Sequence, residues 1–162
     1  MPMRKIINDP SLVEDQTMDG ILAAFPNHMK RIEGSKRGLI RADAPLAGKV
    51  GIATGGGSGH LPLFMGYVGP GLATGSCIGN VFSSPSAEDM LEVTKAIDGG
   101  AGVLYLYGNY SGDTMNFDSD VSVSERSMRR SESTPLMVRS CSRTRLGSTP
   151  ASATFIGASI EP

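Results

Sequence analysis

Lys49-Val50-Gly51-Ile52-Ala53-Thr54-Gly55-Gly56-Gly57-Ser58-Gly59-His60 is the stretch on which the fold turns. Its first half reads as a strand and its second half as a glycine-rich loop. Further on, Ser86-Ala87-Glu88-Asp89 opens a helix: Ser86 can cap it, Asp89 stands at the reciprocal third position, and both acids suit the positive end of the helix dipole. Met90, Leu91, Thr94 and Ile97 line the inner face of this helix, and Asp98-Gly99-Gly100-Ala101-Gly102 ends it. Val103-Leu104-Tyr105-Leu106-Tyr107 is then a continuous apolar run suited to a buried parallel strand. Strand, glycine turn, helix and strand in this order predict an α/β domain, with a parallel or mixed sheet and flanking helices. Such sheets bind ligands beyond the carboxyl ends of their strands. Two loops occupy those places here, Gly55 to His60 and Gly108-Asn109-Tyr110-Ser111-Gly112-Asp113.

Working outward, Asp9-Pro10 predicts a helix start, with a capping carboxylate ahead of proline at the first helical position. Val13, Met18, Ile21, Leu22 and Phe25 give that helix one apolar stripe, and Pro26-Asn27 stops it. A polar, basic connector follows (Lys30, Arg31, Lys36, Arg37), and Asp43-Ala44-Pro45 reads as a turn. A short strand is expected near Ala73 to Ile78.

The glycines around Ser58 suggest a nest of backbone N–H groups for a phosphate or a hydroxyl-rich molecule. Familiar glycine motifs fail: the loop has no Lys for a P-loop, and His60 or Pro62 stands where a dinucleotide fingerprint needs its closing glycine. A hydrolase elbow would need glycine where His60 stands, which argues against a Ser–His–Asp triad. His60 is a candidate general base, against the plainer reading of a helix-capping or carbonyl-bonded histidine. Asp113 is its partner candidate, against the plainer reading of a turn or helix-cap residue. His28, beside Pro26-Asn27, reads as surface.

At 40% apolar and 19% charged residues with a formal net charge of −1, the composition is globular and gives no reason to expect nucleic acid or an acidic membrane. No run is apolar enough for a secretory signal or a membrane span, so a cytoplasmic location is expected. The two cysteines, Cys77 and Cys141, have no metal-ligand spacing, and no metal site is expected. Residues 119–162 differ in kind: 11 Ser, 6 Arg, no Lys and no sustained periodicity. Disorder, an added irregular subdomain and out-of-frame translation compete there, and composition favours disorder.

Together, several segments resemble the substrate-binding domain of the dihydroxyacetone (glycerone) kinase family. They are Lys5-Ile6-Ile7-Asn8-Asp9, Arg41 through Val50, Gly55-Gly56-Gly57-Ser58-Gly59-His60-Leu61-Pro62, Gly66-Tyr67-Val68-Gly69, Phe82-Ser83-Ser84-Pro85 and Gly108 through Phe117, and they occur in family order. The resemblance implies a kinase of dihydroxyacetone or a related small ketose, with its front part in residues 1–118. Gly57 would touch substrate through its backbone, with Gly56, Ser58 and Gly108 around it and Phe82 and Ser84 lining the pocket. His60 and Asp113 would act in acid/base steps on the hydroxyl that receives the phosphoryl group. No cofactor is expected on this chain: ATP with Mg²⁺, or a phosphoprotein relay, would belong to a separate helical domain or subunit. A homodimer is also implied.

Three departures matter. Leu61 stands where many members have Glu, and Gly108 where many have Lys, which points to a longer, four-carbon ketose. The family anchors its ketone covalently on a downstream histidine, and no histidine follows His60. The family pattern breaks off at Asp118, which raises the out-of-frame reading of residues 119–162 above disorder. An incomplete domain, inactive alone, is therefore expected. The alternative is a non-catalytic ketose-binding or regulatory module.

Overall fold

The computed structural model describes residues 6–108, 110–117 and 119, together with the backbone of 136–141, 145–146 and 149–158. Asp9 caps the chain start as expected: its carboxylate accepts from the Ser11 N–H at 2.8 Å, and Pro10 opens a 3₁₀ turn that leads into α1 (Val13–Ala24). Of the predicted stripe only Met18 is fully buried, while Phe25 stays 49% exposed. The basic connector is structured rather than loose. β1 (Met29–Arg31) pairs antiparallel with β2 (Gly38–Arg41), which buries Met29, Leu39 and Ile40. Arg31 meets Asp19 of α1, so the charge run ties the hairpin to the helix.

The centre is a parallel trio, β3 (Gly51–Gly57), β4 (Gly75–Gly79) and β5 (Val103–Gly108), with β3 in the middle. The hairpin joins β4 antiparallel, giving a mixed five-stranded sheet in the order β1-β2-β4-β3-β5. The predicted α/β class is therefore present. Three strands lie in the segment where no strand rhythm was legible: β6 (Leu136–Cys141), β7 (Arg145–Leu146) and β8 (Thr149–Ala158). β8 runs antiparallel along β5, and β6 and β7 pair with β8. A strand added at a sheet edge takes its register from backbone hydrogen bonds, which side-chain periodicity does not report. The rest of 119–162 lies outside the described residues.

Side chains alternate across the pleat and build two cores. One face carries Ile40, Ala53, Cys77, Val103, Tyr105 and Tyr107 beneath α2 (Ala87–Ile97) and Phe117. Tyr107 stacks on Phe117 at 4.1 Å, and Tyr105 meets it edge-on at 5.6 Å. The other face joins Leu39 and Ile78 to Met18, Met65 and Val68. That second layer leaves Leu106 39% exposed, so the predicted buried strand β5 is sealed on one side only. α2 is capped as expected, with Ser86 Oγ accepting from the Asp89 N–H and donating to its carboxylate. Its buried residues are Met90, Val93, Thr94 and Ile97, so Val93 takes the inward place expected of Leu91. No helix among the described residues is long and apolar enough to cross a membrane.

Candidate functional site

β3, β4 and β5 are parallel, so their carboxyl ends share one edge of the sheet, and the loops leaving them meet there. β3 delivers Ser58 and His60, β4 delivers Phe82 and Ser84, and β5 delivers Gly108 and, through the first turn of helix α3 (111–117), Asp113. The chain leaves β3 toward β4 and then crosses over to β5 on the opposite side. The gap between the β3 and β5 ends, holding His60 and Asp113, is thus the switch point where such sheets take ligands.

The glycine loop is not the expected nest. Gly55, Gly56 and Gly57 belong to β3 and pair with Cys77, Ile78 and Gly79. The Ser58 N–H donates to the Asn80 carbonyl at 3.1 Å and the Gly59 N–H to the Val81 carbonyl at 3.0 Å. None of these glycines has the positive φ that a nest requires. Their small size serves packing instead: a Cβ at Gly59 would come within 2.5 Å of the Val81 carbonyl oxygen, and one at Gly56 would enter the Phe64 ring. Sequence reading missed Asn80 and Val81 because they act through main-chain carbonyls, which no residue type announces. Gly56 and Gly57 are thus strand residues of β3, and Ser58 brings a buried hydroxyl to the same strand end.

Asp113 is 6% exposed and lies near Ser84 of the loop after β4. Burial pushes the Asp113 carboxyl above its ordinary value, while the neighbouring Ser84 hydroxyl and the charge of His60 pull it back. The His60 charge thus reaches the Asp113 carboxyl. The His60 side chain is exposed and rests edge-on against Phe64 at 6.1 Å. Two buried atoms at this edge have no hydrogen-bond partner among the described residues, Ser58 Oγ and Asp113 Oδ1. Buried acceptors and hydroxyls without partners cost free energy, and binding sites are where such cost is retained. Asn116 holds α3 to the loop after β4 by donating to the Pro85 carbonyl at 2.8 Å. Phe82 is 95% exposed, so its ring borders the site without forming a wall. Gly108 is exposed, with Asp113 Oδ2 at 3.5 Å from where its Cβ would be.

Other regions offer less chemistry. His28 is exposed, as expected. A separate groove is lined by Ile6, Ile7, Asn8, Val13, Gln16 and Thr17 and contains no titratable side chain. Among the described residues no three His, Cys, Asp or Glu side chains cluster as metal ligands. Cys77 is buried in the α2-side core.

Comparison with known proteins places this geometry in a family context. The model of the Dak1 domain matches residues 19–137. The D-erythrulose kinase of Mycolicibacterium smegmatis is 45% identical over 72% of this chain and 20% of its own. The dihydroxyacetone-binding subunit DhaK of the PEP-dependent dihydroxyacetone kinase of Escherichia coli is 42% identical over 72% of this chain and 32% of its own. The crystal structure of the dihydroxyacetone kinase from C. freundii with AMP-PNP and Mg²⁺ superposes with a TM-score of 0.72 at 33% identity, over 77% of this chain and 24% of that one. The chain therefore spans between a fifth and a third of the length of the curated relatives it matches.

Proposed function

This chain belongs to the Dak1 domain family, and from that premise we propose that it holds the small-ketose site of a kinase that phosphorylates dihydroxyacetone or a related ketose. The observation that carries the reading is the convergence of His60, Ser84 and Asp113 at the ends of three parallel strands, with Asp113 Oδ1 a buried, unpartnered acceptor. A ketose hydroxyl donating to Oδ1 would satisfy that atom. As the hydroxyl oxygen attacks phosphorus, the bond to the donor's leaving group breaks and the hydroxyl proton passes to Asp113. A carboxyl raised by burial is suited to that proton. His60, exposed at the neighbouring strand end, exchanges it with solvent. Ser58, Phe82 and Gly108 border the bound sugar, and the main chain at Gly56 and Gly57 shapes its floor.

The phosphoryl donor, ATP with Mg²⁺ or a phosphoprotein relay, sits on a separate helical domain or subunit in this reading. The structural relative that contains AMP-PNP and Mg²⁺ supports a nucleotide donor. A cytoplasmic homodimer is part of the same proposal. So is the division at residue 118, with 119–162 a segment of irregular or out-of-frame origin; the family match extends past that point to residue 137. Sequencing the gene through codon 118 and translating all frames tests the division, because a second frame that resumes the family pattern would support it.

The open side at Gly108 and the apolar Leu61 favour a four-carbon ketose such as erythrulose. Because no histidine follows His60 to anchor a ketone, the chain alone binds ketose without turnover. The second reading is a non-catalytic ketose-binding or regulatory module. Calorimetric titration with dihydroxyacetone and with erythrulose tests the binding. Erythrulose should bind more tightly, and Asp113→Ala should weaken it about tenfold or more, the worth of a hydrogen bond to a charged group. A folded chain that binds neither sugar overturns the assignment. Ketose-dependent ATP consumption by the chain, alone or with a helical nucleotide subunit, overturns its inactivity and the regulatory reading.

A further inference from the structure

The three strand ends of the site are joined by hydrogen bonds of two kinds. Between the β3 end and the loop after β4 the bonds are main-chain: the Ser58 N–H donates to the Asn80 carbonyl at 3.1 Å and the Gly59 N–H to the Val81 carbonyl at 3.0 Å. Between that loop and α3 (111–117) a side chain makes the bond: the Asn116 amide donates to the Pro85 carbonyl at 2.8 Å, across 31 residues of sequence. Pro85 lies between Ser84 and the Ser86 N-cap of α2, so the bond grips the loop where it turns into a helix. A helix as short as α3 is marginal in water, and packing must fix its place. Asp113, Asn116 and Phe117 stand at i, i+3 and i+4 and share one face, with Asp113 and Phe117 buried and Asn116 half-buried. Phe117 seats the helix by stacking on Tyr107 at 4.1 Å and meeting Tyr105 edge-on at 5.6 Å. Burial of a ring is non-directional, whereas a hydrogen bond weakens steeply as its angle closes. Direction toward the loop therefore comes from Asn116. The approach it holds is close, since a Cβ on Gly112 would stand 2.9 Å from Ser84 Oγ.

We propose that Asn116 is a positioning residue of the strand-end site: its amide keeps α3 in register with the loop after β4, so that Asp113 and Ser84 border the same space. That this space takes a ketose rests on the function proposed above, but the tether rests on the hydrogen bond to Pro85 alone. Without the bond, α3 stays seated by Phe117 and swings at its site end. A chain whose ordered site is populated only part of the time binds its ligand more weakly by that fraction. Asn116 thus acts on a bound sugar only through its neighbours.

The test compares amide hydrogen exchange with ketose binding in the full chain. Asn116→Asp keeps the side-chain shape but sets an acceptor against the carbonyl, and Asn116→Ala removes the donor alone. Two amides report on the tether: the Thr114 N–H, bonded to the Tyr110 carbonyl at 2.9 Å, and the Ser83 N–H, bonded to the Asn80 carbonyl at 3.3 Å. In Asn116→Asp at neutral pH both should exchange about tenfold faster, while the amides of β3 keep the parent rate. Erythrulose binding by calorimetry should weaken by about the same factor. Asn116→Ala should show both effects, each smaller. Unchanged exchange at Thr114 and Ser83 overturns the proposal, and so does faster exchange that extends to β3, the mark of a general loss of stability. Parent-like ketose affinity in a chain with locally faster exchange overturns it as well. So does failure of both variants to fold, because the bond would then hold the fold and not the site. If the parent chain binds no ketose, the proposed function falls, and the local exchange pattern alone decides whether Asn116 holds the two segments in register.

Discussion

The loop after β3 and the turn after β5 lie at the same sheet edge, yet they use glycine for opposite purposes. After β3 the glycines let two main chains touch: Ser58 and Gly59 donate to Asn80 and Val81, and Gly79 lies against the carbonyl groups of Ser83 and Ser84. After β5, Gly112 faces a side chain that can rotate, next to a carboxylate with one buried, unpartnered oxygen. The glycines of the first loop are framework, whereas Gly112 of the second stands beside a candidate site residue. Glycine density here marks where the backbone is crowded.

The contrast breaks most readily at Gly79. Gly79→Ala would drive a methyl group into main-chain carbonyls and should cost about 3 kcal/mol or more in urea unfolding. Gly112→Ala should stay within about 1 kcal/mol of the parent chain, the scale of a helix-propensity change. Equal losses in the two variants would erase the distinction between framework and site. Ser86→Ala acts on α2, which begins just after the Ser84-Pro85 loop, and should cost about 1 kcal/mol through the lost N-cap. An effect near zero would show that the tertiary core, not the cap, fixes where that loop ends.

The smallest effect sharpens the comparison from the other side. The Asp113 carboxyl is raised in the folded chain, so its contribution to stability is fully present below the ordinary value of 3.8 and is lost as pH rises through the raised one. Asp113→Asn should thus match the parent chain in strong acid and exceed it near neutrality, by roughly 2–4 °C in Tm. Melting curves across that range check the sign. A neutral-pH loss of stability would mean that the carboxylate is a structural acceptor and not a retained cost of the site.

Much of the local structure was legible. The Asp9 and Ser86 caps, the stop at Pro26-Asn27 and the apolar run of β5 each depend on neighbours in sequence, so spacing alone reveals them. His60 and Asp113 were legible as a pair because both follow strong strand signals. The hairpin of β1 and β2 was hidden, because a short strand with one buried face among basic residues carries too little pattern. Val93 displaced Leu91 because packing of α2 on β2, β3 and β4 decides which side of a helical stripe goes inward.

By itself, then, the sequence determined an α/β order, its helix ends, the family resemblance and two candidates for proton transfer, His60 and Asp113. Tertiary structure decided that the glycine run is a strand packed on carbonyls, that Asp113 is buried with Oδ1 unpartnered, and that the Ser84 hydroxyl lies against Gly112. Those outcomes rest on groups distant in the chain: the carbonyls of Asn80 and Val81 against Ser58 and Gly59, and a hydroxyl from β4 against a helix after β5. Local propensity does not encode which distant backbone will be a neighbour, and burial, which sets the chemistry of a carboxyl, exists only once those neighbours have met.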